Sequence, residues 1–316
     1  MFRFLRPLRG NLLQAVDDVV SALKIEPVDT TLLRRCLSAL DGVVADCSSS
    51  DADVIPLALH AYMTSSKELA SEVLPSAPRE QIERVLEKVD SCDVTLIDAA
   101  LTAKLRPTTL EHLFDTQSVQ PMSVSQRVHF VRLLSVAASR RLIENPPPLG
   151  NVLRSLADEK LSGAQILTVL ISLDRLQVKE HHQAIHCLTR RAIPALMESR
   201  PSLIASALHS ALFLPENSVD DEFLRAVLRE LIQKAHMLCS RSIGDVCYSL
   251  VVLRRRKHES KYAKNAALVV RLLPEVLTVA EKCPEFSLRD ASRVMCCFRL
   301  YGVRNGALFS KLAKSA

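Results

Sequence analysis

Arg254, Arg255, Arg256, Lys257 and His258 follow one another without interruption, and Lys261 and Lys264 come shortly after. Guanidinium forks and ammonium groups are the side chains that grip phosphate, so such a run suits an anionic backbone. Arg299 falls at the position equivalent to Arg254 in a second copy of the same helical pattern. Arginine at one point of successive units would build a stripe down one face, which is the geometry a phosphate backbone needs. The anion-binding set read from the sequence is therefore Arg254, Arg255, Arg256, Lys257, Lys261, Lys264 and Arg299, with single-stranded RNA as the leading ligand. Two other readings stand beside it. An acidic protein surface would take the same cations, and cations at a helix C-terminus are favoured by the macrodipole even when they only face water.

Other groups capable of chemistry lead elsewhere. His182 and His186 stand at i, i+4 beside Glu180, His181 and Cys187, a spacing that can bring two imidazoles to one metal. No glutamate lies between them in the HExxH manner and no third ligand is evident, so the expectation is a polar helix face with one half-buried histidine. The nine cysteines are scattered, odd in number and free of any CxxC pair, which points to small core residues in a reducing compartment. Cys296 and Cys297 would project about 100° apart on a helix, as two core positions. GxGxxG, GxxxxGK[ST] and GxSxG are all absent. The reading is a protein that is not an enzyme, with no catalytic residue, metal or cofactor.

The elements that must carry these residues repeat. RSIGDVCYSLVVLRRRKH, residues 241 to 258, returns 45 residues later as SLRDASRVMCCFRL. Both copies open Ser-apolar-x-Asp, Ser242 to Asp245 and Ser287 to Asp290, the pattern of a capped helix start. Apolar stripes follow at Ile243, Val246, Leu250 and Leu253, and at Leu288, Ala291, Met295 and Phe298. The same template finds Ser162 with Gln165 ahead of Ile166, Leu170 and Leu173, and Ser123 with Gln126 ahead of Val124, Val131 and Leu134. Pro201 opens a further helix, and Asp93 and Asp53 precede weaker copies. Starts near 53, 93, 123, 162, 200, 242 and 287 lie 30 to 45 residues apart, with room for a second helix in each interval. Two of those second helices are expected to carry a kinking proline, Pro194 and Pro274. The expectation is an all-α chain, an α-solenoid of stacked antiparallel helix pairs with a period of about 40 residues.

Composition agrees with that class. Hydrophobic residues make up 48 % but aromatics only 4 %, without Trp, so the core must be built from Leu, Val, Ala and Ile. Few glycines and no sustained alternation exclude an all-β or Rossmann-type chain. No apolar run reaches the roughly 18 residues a membrane helix needs, so no span is expected. Charge is uneven: from Arg241 onward 15 Lys and Arg face 6 Asp and Glu, a net of +9, which leaves −3 for the rest of a chain whose total is +6. The opening MFRFLRPLRGNLLQAV holds Arg3, Arg6 and Arg9 with no acid before Asp17, the character of a mitochondrial import segment, here residues 1 to 16. A basic first helix that simply packs on the array reads the same way. Residues 17 to 145 form the irregular N-terminal repeats and 151 to 316 the regular ones. The prolines at 146 to 148 separate the two as a hinge or as a long inter-helix loop.

With two helices per unit, no Trp and the Leu-rich first helices at 162 to 176, 242 to 253 and 287 to 301, the chain resembles the organellar helical-repeat proteins of the heptatricopeptide, octotricopeptide and FAST-kinase-like group. Its arginine-rich start and divergent repeats also look like protist, particularly kinetoplastid, mitochondrial proteins. The resemblance implies a non-catalytic matrix protein that binds RNA, or scaffolds an RNA-editing, RNA-processing or mitoribosome assembly complex among other subunits. It covers roughly residues 90 to 305. A HEAT-like protein-interaction scaffold that meets no RNA is the alternative reading, toward which the scarcity of aromatic platforms in the basic quarter points: Tyr248, Tyr262, Phe298 and Tyr301.

Overall fold

The computed structural model describes residues 6–48, 51–69, 74–90, 92–118, 121–144, 146–256 and 263–314, and every regular element among them is helical. They form two compact units, Met1–Pro148 and Leu149–Ala316, with the division in the proline run. In the first unit α1 (Arg6–Leu23), α3 (Ile55–Glu68), α5 (Val94–Thr102) and α7 (Val124–Ser139) make one row of successive neighbours. A second row holds α2 (Thr30–Ala45), α4 (Ser76–Leu86) and α6 (Pro107–Ser118). The second unit repeats the arrangement. Its first row is α9 (Gly163–Arg175), α11 (Pro201–Phe213), α13 (Ser240–Arg255) and α15 (Leu288–Leu300). Its second row is α8 (Gly150–Asp158), α10 (His182–Ala192), α12 (Asp221–Lys234) and α14 (Ala266–Lys282), and α16 (Gly306–Lys314) closes the chain against α15.

Local sequence explains most of the helix starts. Ser123 and Ser162 each accept the N–H of the glutamine three residues on, while that glutamine accepts the serine N–H in return, so both capping boxes form. Asp93 caps α5 through the Leu96 N–H at 2.8 Å, Ser287 caps α15 through Asp290, and Pro201 occupies the first turn of α11. Two expected starts differ. Asp53 is not the cap of α3, since Val54 holds that place. α13 begins at Ser240 behind Cys239, so Ser242 and Asp245 lie inside the helix: Ser242 is buried, and Asp245 is turned to Arg293 of α15 at 2.6 Å. A tertiary ion pair has taken over the acidic side chain that the local pattern assigned to capping.

The expected stripe of α13 is buried, with Ile243, Val246 and Leu250 wholly enclosed and Leu253 nearly so. Removing such a leucine from water is worth about 1.5 to 3 kcal/mol, so the rows are held chiefly by these contacts. On α15 the inward set is Ala291, Val294, Cys297 and Phe298, whereas Leu288 is 60 % exposed in the first turn. Leu288 is displaced because its turn is closed by polar contacts: buried Asp290 accepts the Ser287 hydroxyl at 2.7 Å. Pro194 does not kink a long helix; α10 ends at Ala192 and the proline opens a 3-10 turn over Ile193–Leu196. Pro274 does sit within α14.

Cations tie off helix ends in the second unit. The last carbonyls of a helix have no partner within it. Arg191 reaches the Ala157 and Glu159 carbonyls at the end of α8, Lys234 the Leu196 carbonyl at 3.1 Å, and Lys311 the Glu281 carbonyl at 2.9 Å. Arg256 donates to the Leu212 carbonyl at the end of α11 at 2.8 Å.

Candidate functional site

The predicted cation cluster divides by role. Arg254 and Arg255 occupy the last turn of α13 and are exposed, while Arg256, at its C-cap, is half-buried against α11. Lys257 and Lys261 lie outside the described residues. Lys264 is exposed just ahead of α14, and Arg299 is exposed in the last turn of α15. The Arg254 guanidinium stands 5.6 Å over the Tyr301 ring, and the Tyr301 hydroxyl donates to the Leu250 carbonyl at 2.9 Å. Burial pushes the Tyr301 phenol up to about 12. That contact joins the C-terminal ends of α13 and α15, whose last turns carry Arg254, Arg255 and Arg299. Among the described residues none of Arg254, Arg255, Lys264 and Arg299 is in an ion pair with a carboxylate.

The other sequence candidates separate. His186 sits 3.8 Å from Asp220, His182 faces solvent, and the Cys187 thiol is directed at the Ala157 carbonyl. No three His, Cys, Asp or Glu side chains gather as a metal-binding group among the described residues. Cys297 is buried but Cys296 is exposed, so only one of the pair is a core position. Cys247 is wholly buried, and its thiol is raised well above its ordinary value by a hydrogen bond with Cys297 and by desolvation. Exposed Cys239 moves the other way, because the Ser242 hydroxyl 3.2 Å off and nearby N–H groups at the start of α13 stabilise its thiolate. No helix among the described residues is long and apolar enough to cross a membrane.

A second feature was not read from the sequence. The first row of the second unit bears an open cleft of about 610 Å³, lined by residues of α9, α11, α13 and α15 and of the loops after α9 and α11. His209 and Phe213, one turn apart on α11, stack with centroids 4.4 Å apart, and Tyr248 of α13 packs beside both, 5.7 Å from His209. The Phe213 and Tyr248 rings are 6.0 Å apart and within 3° of parallel. Arg293 of α15 lays its guanidinium 4.9 Å from the Tyr248 ring and is held there by Asp245, with Asp290 at 3.8 Å. At the other end Asp174 accepts from His209 at 2.9 Å and from the Ser210 hydroxyl at 3.1 Å. Arg175, Lys179 and Arg289 line the same cleft, are exposed, and enter no ion pair among the described residues. Two smaller clefts in the first unit, of about 230 and 340 Å³, have no Arg or Lys in their walls.

The sequence held a partial signal for this cleft: His209 with Phe213, and Arg289 with Arg293, are i, i+4 pairs that must share a helix face. Nothing local says that the two faces adjoin. Comparison of the sequence with protein-family models and with curated proteins gives no match in either case.

Proposed function

We propose that this chain is a non-catalytic α-solenoid, with a repeat of about 40 residues, that acts in the mitochondrial matrix as an RNA-binding or scaffold subunit of an RNA-processing, RNA-editing or mitoribosome assembly complex. The observation that carries the RNA reading is the set of exposed cations at the adjoining ends of α13 and α15, Arg254, Arg255 and Arg299, with no carboxylate paired to them among the described residues. Cations in exposed ion pairs are already partly neutralised, whereas these keep their charge for an anion that arrives from solution. The repeat reading is supported by the two rows in each unit and by capped starts at Ser123, Ser162 and Ser287.

The test is the salt dependence of binding. Each single-strand phosphate contact contributes about 0.7 to the slope of log affinity against log salt. With the full chain and an oligouridylate, Arg254→Gln with Arg255→Gln and Arg299→Gln should flatten the slope by about 2. An unchanged slope in a folded variant removes these residues as the contact.

A HEAT-like scaffold that binds no RNA is the second reading. It is favoured by Met197 and Met237, in the turns that follow α10 and α12, and by Val270 of α14, large apolar side chains left exposed. If the free protein ignores RNA at low salt and the triple variant loses an acidic protein partner instead, this second reading replaces the first.

A further inference from the structure

We propose that the cleft between α9, α11, α13 and α15 is a base-stacking subsite: it takes a nucleobase of single-stranded RNA against Phe213 and the flanking phosphates on Arg175, Lys179 and Arg289. This rests on the RNA reading above but on different residues. Phe213 is 40 % exposed in a cluster of three nearly parallel rings, so part of an apolar ring is held in water inside a recess of ligand-sized volume. A planar ligand that covers it removes that surface from water and adds a further ring to the cluster. Every base has such a plane, so the contact would read no sequence.

The ring cluster is fixed before any ligand arrives. Asp174 bonds the His209 ring, and Asp245 holds Arg293 over Tyr248, so little side-chain freedom remains to be lost on binding. Charge favours an anion. Asp174 in the cleft wall keeps one negative charge while bonded to His209 and Ser210, and Arg293 is paired with Asp245 with Asp290 nearby. Arg175, Lys179 and Arg289 outnumber Asp174 around the exposed part of the Phe213 ring. A negatively charged chain with flat rings satisfies both features at once. An acidic peptide would satisfy only the charge.

Fluorescence anisotropy of the full chain decides the matter, with an oligouridylate of about 12 nucleotides and an abasic oligomer of the same length as probes. Phe213→Ala and Phe213→Leu should each weaken oligouridylate binding by roughly 5- to 150-fold, the usual worth of one stacked base. Phe213→Tyr should restore it, and the abasic oligomer should bind all four proteins alike. Phe213→Leu keeps an apolar side chain in place, so it answers for any loss of folding in the alanine variant. If both variants bind oligouridylate as well as the unaltered chain while the Arg254, Arg255 and Arg299 variant still flattens the salt slope, the stacking subsite is wrong and the RNA reading stands. Equal losses on the abasic probe would assign Phe213 a structural role and overturn the subsite. If the unaltered chain binds neither probe at low salt, both proposals fall.

Discussion

Gly244→Ala should destabilise the second unit, although the same change in an open helix position stabilises. A Cβ built on Gly244 would meet Asp290 of α15, 2.6 Å from Oδ1 and 2.9 Å from both Cβ and Cγ. Carbon pairs rest near 3.5 to 4.0 Å, so the two helices must part by roughly 0.6 to 1 Å. The Asp290 side chain has little room to turn away, because it accepts from Ser287 at 2.7 Å and lies beside Arg293 at 3.8 Å. Overpacking of this sort costs about 1 to 3 kcal/mol, and the better helix propensity of alanine returns about 1, for a net loss of up to about 2. Gly42 supplies the control: it lies in α2 with nothing within 4 Å of its added Cβ, so Gly42→Ala should stabilise by about 0.5 to 1 kcal/mol. Native-state hydrogen exchange read helix by helix separates the two units. Protection in α13 and α15 should fall by up to about 30-fold in the Gly244 variant and rise in α2 in the Gly42 variant. Asp290→Ala removes two of the three close atoms, so the Gly244 substitution should cost less in that background. Equal stabilisation by both alanines would refute the close approach of α13 and α15.

Arg256→Gln should lower stability by about 1 kcal/mol through loss of the half-buried bond to the Leu212 carbonyl, while the salt slope for RNA stays as it was. A flattened slope without a change in denaturation midpoint would reverse the roles given to Arg256 and its neighbours. At neutral pH Cys239 should be alkylated by iodoacetamide ahead of Cys47 and Cys92, whose thiols are pushed up to about 11 and about 12, chiefly by burial. A lowered pKa means more thiolate, so Ser242→Ala should slow Cys239 in mass-spectrometric time courses, and earlier labelling of Cys47 would contradict the geometry. For the proposed mitochondrial location, Glu at positions 3, 6 and 9 in place of arginine should abolish import of a fluorescent fusion; import of the altered chain would remove that segment as the signal.

What could be read in advance depended on how far apart the interacting residues lie in the chain. Ser123 with Gln126 and Ser162 with Gln165 are three residues apart and satisfy one another's backbone, so their helix starts were visible in the sequence. Ser242 with Asp245 has the same spelling, yet Asp245 bonds Arg293, 48 residues on, and the helix begins earlier. Leu288 was expected inward for its period and lies outside because the turn that carries it is closed by Ser287 and Asp290. The aromatic cleft was beyond reach for the same reason: Asp174 and His209 are 35 residues apart. Only packing of the first row brings such residues together.

Net charge was legible as a sum but not as a distribution of tasks. Arg191, Lys234, Arg256 and Lys311 each close the carbonyl end of a preceding helix, at separations of 28 to 44 residues, so about one cation per pair of helices serves the fold. Arg225 and Arg229 are held by Glu222, and Arg293 by Asp245. With these set aside, Arg254, Arg255 and Arg299 lie in the last turns of α13 and α15, Arg175, Lys179 and Arg289 at the rim of the ring-lined cleft, and Lys264 just ahead of α14. A charge bound to a carbonyl or carboxylate resists salt because its partner is fixed beside it, whereas a free surface charge loses its attraction for a distant anion within a Debye length of about 8 to 10 Å. The two groups should therefore separate on titration with salt: RNA affinity should fall steeply between 50 and 200 mM, as expected for several phosphate contacts, while the thermal midpoint hardly moves. A midpoint that drops in step with affinity would mean that the exposed cations also hold the fold together.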